Sequence, residues 1–166
     1  MGESPSKEFV ADMRANSPVY QCLWDTGKDI CSDSLVQENI DGYELTYSES
    51  FSEKELKRIR TAVQAVQPAK KACYSNSFQL WAYDSRFSYC EGVATVERLD
   101  FTCPHAWNMW SGRVIDVTNH FDSYYGIQFE DETTRSYFSL CLEENVWGIL
   151  KNHASGFEFL KSEGYL

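Results

Sequence analysis

No Cys-x-x-Cys occurs anywhere in this chain of 166 residues, although it holds six cysteines: Cys22, Cys31, Cys73, Cys90, Cys103 and Cys141. That absence removes the strongest sequence signature of a zinc site. Basic residues are scarce, with 15 Lys and Arg against 25 Asp and Glu, a net charge of -10. Binding to DNA or RNA draws on counterions released by a basic face, so no nucleic-acid partner is expected. The same balance points to neutral or basic substrates. Charged side chains interrupt every long periodic segment, so no membrane span is expected. Residues 1–14 carry charges throughout and hold no apolar run of the kind a secretory signal needs. No internal repeat and no low-complexity segment is found. These absences lead to the expectation of a cytoplasmic chain whose thiols stay reduced, without a disulfide framework.

What is present is aromatic. Phe, Trp and Tyr make up 15% of the chain, and apolar residues 43%, which argues against a disordered chain. The length suits one domain, residues 1–166, with room for a core that folds without staples. The six cysteines then have three readings: disulfides, a metal, or a thiol enzyme. Buried free cysteines are common, so most of the six read as small core residues. A metal held by Cys103, His105 and Cys90 is the weaker option without a Cys-x-x-Cys pair.

Residues 7–15 predict a short helix ended before Pro18. Residues 19–47 read as irregular, with a short strand over 43–47. Ser52 and Glu55 form a capping-box pair, and Leu56, Ile59, Val63 and Val66 follow helical spacing, so 52–66 is a helix stopped by Pro68. Lys54, Lys57, Arg58 and Arg60 lie on its polar side, with Lys70 and Lys71 beyond. These are a solvated face, or a positive field that favours a thiolate at Cys73. Residues 73–83 predict a second helix on the shared face of Tyr74, Phe78 and Trp81. Strands follow over 89–97, 105–110, 113–118 and 124–129, with a hairpin at Ser111-Gly112. Residues 133–153 include a helix that ends near Gly156. Helices first and adjacent strands later make an α+β domain without βαβ units.

A thiol nucleophile needs a base, and the base needs an orienting group. Cys73 opens a predicted helix, where exposed N–H groups and the dipole stabilise a thiolate. His105 and Asp116 are near-symmetric about the Ser111-Gly112 turn and so are candidate cross-strand neighbours. Asp116 stands among Val114, Ile115 and Val117 and needs a partner if buried. Asn119 and Asp122 are alternative orienting groups. His120 and His153 have no partner pattern and read as surface residues, and Glu91 reads as a strand surface residue.

The quoted pieces run Cys73-Tyr74-Ser75-Asn76, then Tyr89-Cys90-Glu91-Gly92, then His105-Ala106-Trp107-Asn108, and finally Gly112-Arg113-Val114-Ile115-Asp116-Val117-Thr118. In order and spacing this resembles the transglutaminase-like branch of the papain-fold cysteine enzymes over about residues 67–125, roughly a third of the chain. Val117 stands where that family usually has Pro. The resemblance implies a papain-like core over 52–129, in which a helix carrying Cys packs on an antiparallel sheet carrying His and Asp. It leaves 1–50 and 130–166 as accessory elements. It implies Cys73 as nucleophile, His105 as general base, Asp116 as orienting acid and Gln67, six residues before the cysteine, as an oxyanion donor. Trp107 and Asn76 are then expected beside the substrate cleft, although Trp107 reads more readily as core beneath the imidazole. The implied chemistry is acyl transfer or hydrolysis at an amide or peptide bond through a thioester, with no cofactor. The substrate would be a peptide, a protein or a small amide. The alternative is a catalytically inactive binding protein of the same fold, for example a phage or bacterial accessory factor.

Overall fold

The computed structural model describes residues 3–30, 34–145, 147–149 and 162. Cys31, His153 and the helix end expected near Gly156 lie outside the described residues. Among the described residues, seven antiparallel strands form one sheet, and helices pack on it, so the α+β class holds. The strands are β1 (Lys28–Asp29), β2 (Leu35–Ile40), β3 (Tyr43–Ser48), β4 (Ser88–Val96), β5 (Phe101–Trp110), β6 (Arg113–Asp116) and β7 (Ser123–Gln128). Their order across the sheet is β1-β7-β4-β5-β6-β3-β2. Among the described residues no helix is long and apolar enough to cross a membrane.

The N-terminal third departs most from expectation. It holds α1 (Pro5–Met13) and α2 (Pro18–Thr26), each with proline in its first turn, where the missing N–H costs nothing. Ser4 caps α1 through the Lys7 N–H. Residues 19–42, expected to be irregular, contain most of α2 and the strands β1 and β2, while the short strand expected over 43–47 is β3. The overlooked signal is Asp41-Gly42, whose φ values of 49° and 86° make a two-residue primed turn that pairs Ile40 with Tyr43. Residues 1–50 therefore supply three of the seven strands and complete the sheet.

The middle of the chain follows its local signals. α3 (Glu53–Val66) carries the full capping box: the Glu55 N–H donates to Ser52 Oγ at 3.2 Å, and the Ser52 N–H to Glu55 Oε1 at 3.0 Å. α4 spans Cys73–Tyr83, and α5 spans Asp131–Glu144. β5 begins at Phe101, four residues before the expected start, and runs through Pro104. β6 pairs with β5 only over Asn108–Trp110, so that edge of β5 has no β6 ladder around Pro104 for the missing N–H to break.

Val93, Tyr125, Ile127 and Phe129 meet Phe78 and Trp81 of α4 and Tyr137 of α5 on one face of the sheet. α3 lays Leu56, Ile59 and Val63 against Leu45, Tyr47 and Ile115. The opposite face gathers Cys90, Trp107, Met109, Val114, Phe121 and Tyr124. Two glycines permit the close approach of β4 and β7. A Cβ on Gly92 would collide with the Tyr125 carbonyl, and one on Gly126 with the Glu91 carbonyl and the Trp107 ring.

Glu91 corrects the surface reading: it is 2% exposed, on the helix side of β4. The Tyr89 hydroxyl donates to its Oε1 at 2.5 Å, and the Ile149 N–H to its Oε2 at 2.6 Å. Burial pushes its carboxyl up from 4.5 to about 7, against the hydrogen bonds from Tyr89, Ile149 and Tyr137. A carboxyl raised on folding adds stability that is full below pH 4.5 and is lost as pH rises through 7. At about 1.4 kcal/mol per pH unit, the loss is roughly 3 kcal/mol. Glu91→Gln removes that dependence. The melting temperature of the wild type is expected to fall relative to Glu91→Gln between pH 5 and pH 8, and parallel curves for the two would contradict this account of Glu91.

Candidate active site

The Ser111-Gly112 turn has φ values of 52° and 73°, a primed hairpin turn that pairs Trp110 with Arg113 and Asn108 with Ile115. One further step would set Asp116 opposite Trp107, which makes His105 its diagonal neighbour on the same face. The imidazole Nε2 and Asp116 Oδ2 meet at 2.6 Å, with both residues buried, at 2% and 0% exposure. Three more donors reach the same carboxylate. The Tyr124 hydroxyl donates to Oδ2 at 2.9 Å, and the N–H groups of Thr118 and Asn119 donate to Oδ1 at 2.9 and 3.3 Å. Each oxygen thus has two partners, which is how a buried carboxylate avoids the cost of unmet hydrogen bonds.

Cys73 is half-buried at the first position of α4, and Ala72 before it provides no side-chain cap. The first-turn N–H groups are therefore left without a capping side chain. Cys73 bears on His105. Burial lowers the imidazole pKa, but the charge and hydrogen bond of Asp116, joined by a side-chain hydrogen bond and the charge of Cys73, hold it up at about 10. The other described thiols are all pushed up by burial, Cys22 and Cys90 above the ordinary range and Cys103 and Cys141 to about 11. At Cys103 the charges of Cys73 and Asp116 add to burial, as expected of neighbours.

Asn76 and Trp107, expected beside a substrate cleft, are both buried, at 1% and 0% exposure. Trp107 stacks on the imidazole with ring centres 6.3 Å apart, lies 5.0 Å from the Tyr124 ring and packs against Gly126. Phe121 is the closer ring to His105, at 4.6 Å. Asn76 is a bracket. Its amide accepts from the Ala69 N–H at 2.9 Å and donates to the Ala69 carbonyl at 2.8 Å and to Thr118 Oγ1 at 2.9 Å. One turn into α4, it ties the Cys73 helix to the loop before it and to the strand exit after Asp116. Asn108 adds a second tie, donating to the Ser77 and Phe87 carbonyls at 2.9 and 3.2 Å.

Gln67 is the exposed C-cap of α3 in a left-handed conformation, φ 51°, its N–H bonded to Val63 O. His120 is half-buried and meets Thr46 Oγ1 at 2.9 Å, so it is not a free surface histidine. Asp122 is spent on the Glu97 N–H at 2.8 Å, and Asn119 touches Asp116 through its backbone. Tyr124 and Phe121 were not singled out from the sequence. The usable signal was the alternation of β7, which sets Tyr124 on the same face as Ala94 and Cys103 of the neighbouring strands.

Among the described residues, no group of three or more His, Cys, Asp or Glu is placed to hold a metal ion. Compared with protein-family models, with characterised proteins and with solved structures, the chain matches none.

The raised imidazole makes a pH prediction. A histidine raised on folding stabilises fully below pH 6.5, and that contribution is lost as pH rises through about 10. In an NMR titration, the His105 imidazole is expected to stay protonated through pH 9. In Asp116→Asn its pKa is expected to fall below 6.5, because burial persists while the counter-charge is gone. A wild-type imidazole that titrates near 6.5 would contradict the pairing.

Proposed function

We propose that Cys73, His105 and Asp116 act as a triad that transfers or hydrolyses an acyl group at an amide or peptide bond through a thioester on Cys73. The observation that carries this reading is the buried imidazole held by Asp116 at 2.6 Å, its pKa raised against burial by Asp116 and Cys73, with Cys73 at the uncapped start of α4. The chain order Cys, His, Asp and the setting of a cysteine helix on an antiparallel sheet also suit the papain-like, transglutaminase-like resemblance.

In the proposed cycle His105 starts protonated and Cys73 reacts as the thiolate. The sulfur attacks the carbonyl carbon, and the oxygen charge that develops is met by the Cys73 N–H and its first-turn neighbours. Collapse breaks the carbon–nitrogen bond, and the His105 proton passes to the departing amine. Water or an acceptor amine then attacks the thioester carbonyl and gives its proton to His105. The carbon–sulfur bond breaks, and an acid or a new amide leaves. Asp116 touches no substrate; it positions the imidazole and balances its charge.

The deep burial of His105 favours one other reading, a binding protein that keeps the constellation without turnover. A panel of acyl thioesters, peptide anilides and simple amides, read by mass spectrometry of the intact chain, separates the two. The expected result is an acyl adduct on Cys73 with at least one thioester, absent in Cys73→Ala and formed about 10²–10⁴-fold more slowly in His105→Ala. A folded wild type that no member of the panel acylates would overturn the enzyme reading.

A further inference from the structure

A cavity of about 260 Å³ is lined by the segment that runs into Cys73, the segment that follows Asp116 and the β2–β3 turn. One wall is the loop leading to Cys73, with Ala69, Lys70 and Lys71; a second is the strand exit after Asp116, with Thr118 and Asn119; the β2–β3 turn, with Gly42 and Glu44, closes the third side. The first two walls each come within two residues of a member of the triad in the chain. Both are pinned to the same buried side chain, since Asn76 bonds Ala69 through its N–H and carbonyl and Thr118 through its hydroxyl. The cavity is thus built into the bracket that joins the cysteine helix to the Asp116 strand.

The charge in it is distinctive. Of the six basic residues between 54 and 71, Arg58 and Arg60 are spent on Asp84 and Glu38. Lys70 and Lys71 form no ion pair among the described residues. The one carboxylate lining the cavity is the exposed Glu44, so the pocket is net positive in a chain of net charge -10. Its volume suits a single side chain or a terminal carboxylate rather than a drug-sized ligand.

We infer that this cavity is the specificity pocket of the proposed acyl-transfer site and takes a carboxylate-bearing group of the substrate, held by Lys70 and Lys71. The inference rests on the triad reading and reverses the expectation of a basic substrate drawn from the overall charge. The local field next to the nucleophile, and not the sum over the chain, decides which ligand approaches.

Two alkylating agents of nearly equal size test it without a known substrate: iodoacetate, which carries the carboxylate, and iodoacetamide, which is neutral. Rates at Cys73 are read by peptide mapping at about 10 mM salt, where screening is weak. Lys70→Gln with Lys71→Gln is expected to slow iodoacetate about fivefold more than iodoacetamide, the order of effect that two nearby unit charges have in water. Lys70→Arg with Lys71→Arg is expected to keep the wild-type ratio, and about 1 M salt to abolish the difference. An unchanged ratio in the Gln variant would overturn the proposal. So would an equal drop in the control Lys54→Gln with Lys57→Gln, which would assign the effect to diffuse surface charge. The iodoacetamide rate alone reports on the triad, so loss of that reading and loss of the anion preference are separate results.

Discussion

Asp116 is the point on which the centre of this molecule turns. A carboxylate with no exposed surface survives burial only when its oxygens are all met, and here four donors from three segments converge on it. His105 comes from β5, Tyr124 from β7, and the Thr118 and Asn119 N–H groups from the exit of β6 itself. To satisfy one side chain, the register of the β5–β6 hairpin, the tilt of β7 and the turn after Asp116 must all be right together. The imidazole inherits that rigidity. It is oriented by Asp116 and walled by Phe121 and Trp107.

Two buried asparagines carry the same constraint to the helix. Asn76 ties α4 to the Ala69 loop and to Thr118, and Asn108 ties it to β5. A helix packed by apolar contacts alone is free to slide by fractions of an ångström, and acyl transfer tolerates little of that. The amides hold the first turn of α4 in register with the strands that carry His105 and Asp116. The Asp-x-Thr pair gains a physical meaning on this account: Thr118 caps Asp116 with its N–H and accepts from Asn76 with its hydroxyl.

The legible parts of the sequence were those set by local chemistry. The capping box at Ser52 and Glu55, the helix opened by Cys73 and the Ser111-Gly112 hairpin depend on neighbours a few residues apart, and the structure places each of them as read. His105 and Asp116 were legible because the hairpin between them fixes their separation. What was not legible depends on distant partners. Glu91 alternates like a surface residue, and its burial depends on distant partners such as Tyr137 of α5 and the segment at Ile149. Asn76 reads as a cleft residue until Ala69 and Thr118 are brought to it. Tyr124 gives no local sign that it serves Asp116. Of the hairpin at Asp41-Gly42, the sequence shows the strand after the turn but not β2 before it, whose half-buried, largely polar run masks its pairing.

The same division separates overall from local electrostatics. The chain is acidic as a whole, yet the loop before Cys73 is basic and its lysines are unspent, while burial holds the other described thiols above their ordinary range. Reactivity should therefore concentrate at one cysteine. The most direct measurement is the rate of iodoacetamide alkylation at each cysteine between pH 6 and 7, in the wild type and in His105→Ala. The account predicts that Cys73 reacts well ahead of the other thiols and loses that lead in His105→Ala while the fold persists. Equal rates at all the cysteines, or a lead at Cys73 that survives the loss of His105, would contradict it.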